Sequence, residues 1–207
     1  MASNHSVFLS IIIVFLLLAP TLTFLYTYVS HNSPQSRKPL AIHLVSFSAS
    51  NFRIRASKFL EAEWRANFTF ENQFDDCKFH IKPFEVVVYY KERYAVSCGL
   101  VGSINLEKKK QKRVSIGFNT SSTTGCVHQG QPYGHLEKHV LREIREEKRK
   151  GRLSRLSLKM NMQSLAYVIG IDRWDLSLNP SCSGINVSFV DARNGKFMGN
   201  RYCSIPW

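Results

Sequence analysis

The chain has 207 residues, with 28 Lys and Arg against 15 Asp and Glu and a formal net charge of +13. An excess of that size attracts polyanions, which is a statement about partners and not about fold. Once the long apolar run near the N-terminus is set aside, about 170 residues remain, room for one domain with a real core and for no second.

The chain opens with a short tail, residues 1–6 (MASNHS), without the glycine that N-myristoylation needs. Val7 to Val29 (VFLSIIIVFLLLAPTLTFLYTYV) then carries no charged side chain over 23 residues. At about 1.5 Å per residue it reaches roughly 35 Å as a helix, enough to cross a hydrocarbon core of about 30 Å. A core helix of a soluble domain would show a polar stripe, and Ser10 and the threonines make none. A cleaved secretory signal is the stronger rival. Against it, the run is longer than the usual apolar region, no small-x-small pair closes it, and Pro20 follows Ala19. Phe24, Tyr26 and Tyr28 fit an interfacial aromatic belt. We therefore expect a cytosolic tail at 1–6, an uncleaved transmembrane signal-anchor at 7–29 and a polar, Pro-bearing stalk at 30–39.

Topology is disputed within the sequence. Every Lys and Arg lies after the span, beginning with Arg37 and Lys38, which by the positive-inside rule leaves the large domain in the cytosol. Three sequons, Asn67-Phe-Thr, Asn119-Thr-Ser and Asn186-Val-Ser, and five cysteines suit a secretory lumen instead. The charge rule is weakest for long translocated domains, so the expectation is a single-pass plasma-membrane protein with its large domain, residues 40–207, extracellular.

That domain reads as strands. Trp64, Ala66, Phe68 and Phe70 alternate with Glu63, Arg65, Asn67, Thr69 and Glu71, the period-two signature of a half-solvated strand. Phe84, Val86, Val88 and Tyr90 repeat it. So do Val114, Ile116 and Phe118, then Leu156, Leu158, Met160 and Met162, then Ile185, Val187 and Phe189. His43 to Arg55 alternates more loosely, and Tyr94 to Leu100 and Trp174 to Leu178 are shorter candidates. Asn194-Gly195 between Arg193 and Lys196 predicts a two-residue type I′ hairpin. One segment breaks the rhythm: His135 to Lys150 places Leu136, Val140 and Ile144 at four-residue steps, with Arg142 four before Glu146, and predicts an amphipathic helix ending at Gly151. Seven or more short strands at regular spacing make an all-β antiparallel sandwich with one short amphipathic helix the expected fold.

A short tail, one span, the alternating Trp64–Phe70 strand, VVVYYKERYAV, a helix ending at Gly151, the RLSLKMNM strand and a final Cys-bearing hairpin follow one another in this chain. In that order it resembles the plant NDR1/HIN1-like proteins, whose outer part is a late-embryogenesis-abundant (LEA) type 2 domain; the likeness covers roughly Leu40 to Cys203. Asn72-Gln73-Phe74 stands where that family commonly has Asn-Pro-Asn. The resemblance implies a fibronectin III/immunoglobulin-like sandwich anchored in the plasma membrane, associated with defence or stress responses and lacking known catalytic residues.

The residues themselves offer little chemistry. There is no Gly-x-Ser-x-Gly elbow, phosphate-cradling loop or HExxH. Asp75-Asp76 fit turn residues better than an acid/base pair, and neither they nor Asp172 with Asp175 make a glycosidase of the chain. Cys126, His128, His135 and His139 fit no standard zinc spacing, so no metal, cofactor or catalytic residue is expected.

The cysteines fit cross-links better. Cys77 and Cys98 fall at one end of the expected sandwich, within reach of a bridge. Cys182 and Cys203 flank the last hairpin, yet a two-residue turn at Asn194-Gly195 pairs Cys203 with Asn186, about four residues or 13 Å short of Cys182. Closing that pair needs a bend at Ser183-Gly184. Cys126 is left over, and unpaired thiols stay open as an alternative.

Asn67, Asn119 and Asn186 alternate with the apolar residues of their strands, so each faces solvent as a glycan requires. Asn4-His-Ser falls on the other side of the membrane. Two basic blocks complete the picture: Lys108, Lys109, Lys110, Lys112 and Arg113, then Arg145, Lys148, Arg149, Lys150, Arg152 and Arg155. The expected partners are membrane lipid through 7–29, other membrane or wall-associated proteins and acidic polysaccharide. No nucleic acid is expected, because the aromatics sit on apolar faces and are not interleaved with the basic runs. The expected function is non-catalytic binding or signalling at the cell surface. Two alternatives stay behind it: a cytosol-facing basic adaptor for anionic lipid or nucleic acid and, more remotely, an extracellular carbohydrate-active enzyme.

Overall fold

A computed structural model describes residues 40–55, 59–119, 133–134, 136–168, 173–197 and 199–206. The expected span at 7–29 and its stalk, with Cys126, His128, His135 and Asp172, lie outside the described residues. Among the described residues no helix is long and apolar enough to cross a membrane.

Twelve strands and one helix follow in chain order: β1 Leu40–Arg55, β2 Phe59–Asn72, β3 Cys77–Ile81, β4 Phe84–Tyr90, β5 Tyr94–Val101, β6 Ile104–Leu106, β7 Gln111–Asn119, α1 Lys138–Arg149, β8 Arg152–Val168, β9 Trp174–Leu178, β10 Ser181–Phe189, β11 Gly195–Phe197 and β12 Arg201–Tyr202. All recorded pairings are antiparallel, along the path β5-β4-β8-β10-β11-β1-β2-β7. The expected alternation holds. Trp64, Ala66, Phe68 and Phe70 are buried, as are Phe84, Val86, Val88 and Tyr90, and Leu156 to Met162 at every second position. Sequence reading missed β3, β6 and β12, each of five residues or fewer and too short for a periodicity to show.

The longest strand, β8, is the spine. Its first half pairs with β4 on one side and β10 on the other, and its second half with β3 and β9. Each flanking strand pair breaks at the same level of β8, and each break holds a proline: Pro83 between β3 and β4, Pro180 between β9 and β10. A proline has no N–H for the ladder and fixes φ, so it interrupts pairing without releasing the chain. The neighbouring backbone keeps the seam closed. Lys82 N donates to Gln163 O at 2.8 Å, and Met160 N to Pro180 O at 2.9 Å.

The loose alternation of β1 has a local cause. Leu44 pairs with Phe68 and Ser46 with Asn67, so Val45 is an extra residue, a bulge that resets the parity and lets Leu44 and Phe47 both point inward. A second irregularity at Asn51, whose φ is 53°, returns Phe52 to the core. There Phe47 stacks on Trp64 with ring centroids 5.4 Å apart and Phe52 meets the same indole edge-on at 5.9 Å. From β2, Phe70 reaches Phe84 of β4 at 6.1 Å, so the two arms of the path face each other across one apolar interior.

Helix α1 starts three residues later than the sequence suggests and buries Val140, Leu141 and Ile144. Gly151 takes a φ of +75° and donates its N–H to Lys148 O at 2.9 Å, ending the helix where glycine was expected to end it.

The last hairpin corrects the two-residue turn expected at Asn194-Gly195. Ser188 pairs with Lys196 and Phe189 with Gly195, so the loop is Val190 to Asn194. Asp191 organises it, its Oδ1 accepting from Arg193 N at 2.6 Å and Asn194 N at 2.8 Å. Gly195 is in the strand, where a Cβ would lie 2.5 Å from Val187 Cγ1. The longer loop shifts the register and so removes the gap between the cysteines. Cys182 and Cys203 are disulfide-bonded with Cα atoms 4.2 Å apart, beside a Ser181–Ser204 bridge and an irregularity at Ser183-Gly184, where Gly184 has a φ of +66°.

The two ends of the path, β5 and β7, lie against each other. A Cβ on Gly99 would meet Gly117 O, Ile116 Cγ2 and Phe118 Cδ1, each at 2.9 Å, whereas Gly102 has open space. Gly99→Ala is therefore expected to destabilise the domain by about 1–3 kcal/mol in urea melts, the usual cost of overpacking against backbone, with Gly102→Ala close to neutral. Equal midpoints for the two variants would refute this account of the seam.

Candidate functional site

The two basic blocks lie at opposite ends of β1. Leu40 pairs with Asn72, and Asn72 N donates to Lys110 O at 3.0 Å, which places the Lys108–Lys110 turn where β1 begins. Asn72 itself is 1% exposed. Its Nδ2 donates to Cys77 O at 2.7 Å and Glu107 O at 3.1 Å, and its Oδ1 accepts from Phe74 N at 3.0 Å. Lys109, with φ 53°, is pinned through its N–H to Phe74 O. The result is a fixed turn, from which Lys109, Lys110, Lys112 and Arg113 project exposed while Lys108 is half-buried. Asp75 and Asp76 sit exposed in the bend after β2, as turn residues.

The second block is divided by the fold. Lys148 turns inward: its Nζ donates to Phe52 O at 3.1 Å and sits 4.8 Å from the Phe52 ring and 5.6 Å from that of Phe189. Burial, then Arg193, pushes its pKa down. Arg155, with φ 62°, pairs with Glu147 and donates from Nη2 to Tyr90 Oη at 3.1 Å. Tyr90 is fully buried and donates to Glu147 Oε1 at 2.9 Å, and the other oxygen of Glu147 accepts from Ser154 N at 2.7 Å and Ser154 Oγ at 2.9 Å. Lys91 pairs with Glu143 and donates its backbone N–H to Arg155 O at 2.8 Å. This clasp ties α1 to the β4–β5 turn and to β8. The turn holds two non-glycine residues at positive φ, Lys91 at 52° and Glu92 at 57°, a conformation that neither residue type signals.

What remains of the block faces out. Arg145, Arg149, Lys150 and Arg152 are exposed, and Lys138 and Arg142, which sequence reading left out of the block, join them. The two inward carboxylates of α1 are spent on Lys91 and Arg155, so the helix presents its cations to solvent.

A shallow cleft of about 320 Å³ is lined by Glu85, Tyr89, Tyr133, Lys159, Asn161 and Asn179, among others. Tyr133 Oη donates to Glu85 Oε1 at 3.1 Å, and Lys159 Nζ lies 5.0 Å from the centre of the Tyr89 ring. Burial, then Glu85, pushes both phenols up, so they stay protonated at neutral pH. The cleft presents polar side chains beside a ring face, with the Tyr133 hydroxyl engaged by Glu85 and Lys159 Nζ donating to Glu92 O at 3.1 Å.

The remaining predicted residues stand apart. Asn186 is exposed on β10, and Asn67 is half-buried on β2 with Nδ2 donating to Ser46 Oγ at 2.7 Å. Asn119 closes β7. Cys77 corrects the expected Cys77–Cys98 bridge. It is a free, buried thiol, pushed up by burial and by Asp76, whereas Cys98 is disulfide-bonded to a partner outside the described residues. Cys98 and Tyr133 share a small apolar cluster on the outer face of β4 and β5. Among the described residues no group of three His, Cys, Asp or Glu side chains could hold a metal ion, and His139 faces Tyr94 and Glu137.

The clasp carries a pH signature. Burial alone pushes the Glu147 carboxyl up, but hydrogen bonds from Arg155, Ser154 and Tyr90 outweigh it and hold the pKa below its ordinary 4.5. A depressed carboxylate stabilises the fold above its unfolded pKa and loses that contribution as pH falls through the folded value. Glu147→Gln is expected to cost about 1–3 kcal/mol near pH 7, the penalty of stripping charged hydrogen bonds from a partly buried site. Urea melts between about pH 5 and pH 3 should then converge for the two proteins; a difference that stayed constant down to pH 3 would exclude Glu147 as the titrating group.

No protein-family model matches the chain, and no curated protein matches it.

Proposed function

We propose that the chain is a single-pass membrane-anchored protein whose residues 40–207 form a fibronectin III/immunoglobulin-like, LEA type 2-like β-sandwich on the non-cytosolic side of the plasma membrane, acting by binding and not by catalysis. The observation that carries the reading is the Cys182–Cys203 disulfide, which closes the final hairpin onto the start of β10. Disulfides persist where the compartment is oxidising. The disulfide state of Cys98 and the exposed sequon residue Asn186 support the same side. The two facing arms of the antiparallel path support the sandwich. Anchoring rests on the 23-residue uncharged run at 7–29. What the surface offers supports a binding role: a polar cleft beside the Tyr89 ring, and two sets of outward cations. Association with defence or stress responses comes from the family resemblance.

Full-length protein expressed in a eukaryotic secretory host, treated with an endoglycosidase, is expected to gain mobility. Asn186→Gln should remove part of the shift, because Asn186 is exposed while the Asn67 amide is held by Ser46. A protein whose mobility never changes, and whose large domain resists external protease until the cells are permeabilised, would overturn the reading in favour of a cytosol-facing basic adaptor.

A further inference from the structure

We propose that the outward stripe of α1, formed by Lys138, Arg142, Arg145 and Arg149, is a docking surface for a linear acidic polysaccharide bearing a carboxylate on successive sugars. The inference deepens the proposed function and rests on it only for where such a polymer is met.

Steps of four, three and four residues keep these side chains on one helix face, with axial separations of about 6, 4.5 and 6 Å. All four are exposed, and none meets a carboxylate at ion-pair distance among the described residues. The reason is the clasp. Glu143 and Glu147 point the other way and are neutralised by Lys91 and Arg155, leaving Glu146 as the exposed carboxylate beside the stripe; Glu137 is turned to His139. Lys150 and Arg152 continue the positive run past the end of the helix. The platform is rigid, because the opposite face buries Val140, Leu141 and Ile144 and Gly151 fixes the last turn. No solvation of these cations is lost until a partner arrives.

The side-chain types narrow the partner. Three of the four are Arg, whose planar fork matches a carboxylate or a phosphate with two parallel hydrogen bonds where Lys offers a point charge, and the surroundings of the stripe separate the two. α1 has no Phe, Tyr or Trp, and the exposed aromatic residues Tyr167, Trp174 and Tyr202 belong to β8, β9 and β12. Single-stranded nucleic acid is held by stacking platforms along a basic groove, and the stripe has none. A carboxylated polymer needs only the row of charges.

The test uses the full chain in nanodiscs of zwitterionic lipid, with immobilised polygalacturonate as probe, dextran as neutral control and single-stranded DNA of equal charge as competitor class. Binding to polygalacturonate, weakening as salt rises through about 0.15 M, is expected, with none to dextran. Arg142→Glu/Arg145→Glu/Arg149→Glu is expected to weaken it by about tenfold or more, and Lys108→Glu/Lys109→Glu/Lys110→Glu, the same change in net charge at the other end of β1, by less than about threefold. The conservative triple Arg142→Lys/Arg145→Lys/Arg149→Lys keeps charge and removes the fork; about a threefold loss is expected, and no loss overturns the proposal even if the glutamate triple does not fold. Equal losses for the two glutamate triples, no binding by the parent chain, or DNA bound as tightly with the same Arg dependence would each overturn it as well. Absence of polygalacturonate binding by a chain whose sequons carry glycan removes this surface and leaves the anchored reading standing. Binding by a chain that proves cytosol-facing supports the surface and removes the anchored reading's topology.

Discussion

The constraint on which the fold depends is that one strand is shared by two sets of neighbours. β8 runs through both, and it can do so because its neighbours on either side stop pairing at the same level, each at a proline. An unbroken sheet of that length would accumulate twist and draw the arms apart. Interruptions on both sides let the two halves of β8 follow different sheets while the buried row from Leu156 to Met162 stays continuous. The placement of the other parts follows from β8. The clasp attaches at its first turn of sequence, through Ser154 and Arg155, and the cleft opens beside Lys159 and Asn161.

The clasp also explains how so basic a chain sorts its charge. Two kinds of cation share the same stretch of sequence. Lys148 is drawn inward by Phe52 O, with partial desolvation, and Arg155 is held at the surface by Glu147; both serve as fasteners. Those at other angles of α1 stay solvated, with Glu146 as the exposed carboxylate beside them. Charge density in a sequence therefore overstates the surface charge in one place and understates it in another, since Lys138 and Arg142 fall outside the dense block and complete the row.

The legible part of the fold is the part written in period two. Alternation located most of β2, β4, β7, β8 and β10 and assigned their inward faces, because each has one wet face and one dry one. Two features defeated it. Val45 adds one residue to β1 without any composition change, and bulges of that kind carry no residue signature unless they use glycine. Asn194-Gly195 is the strongest short hairpin signal available, yet Asp191 captures the turn three residues earlier, and the register of the cysteines moves with it. Cys77 opens β3, a strand of five residues too short for alternation to place it, and its thiol is free where a bridge was expected. Of the candidate surface, the exposed half of the basic block was visible in the sequence. Which members act as fasteners depends on Glu147 and Phe52, partners separated from Arg155 and Lys148 in ways that helical spacing alone does not disclose.

The seam between β5 and β7 has one more consequence. A row of unsatisfied backbone groups along a long outer strand is the usual template on which β-rich proteins add copies of themselves. Here the terminal strands of the path shelter each other across Gly99 and Gly117, and the strands left beside them, β6, β9 and β12, run for only two to five residues. The absent side chain at position 99 is what lets the two end strands of the path close on each other, leaving neither as a long open template.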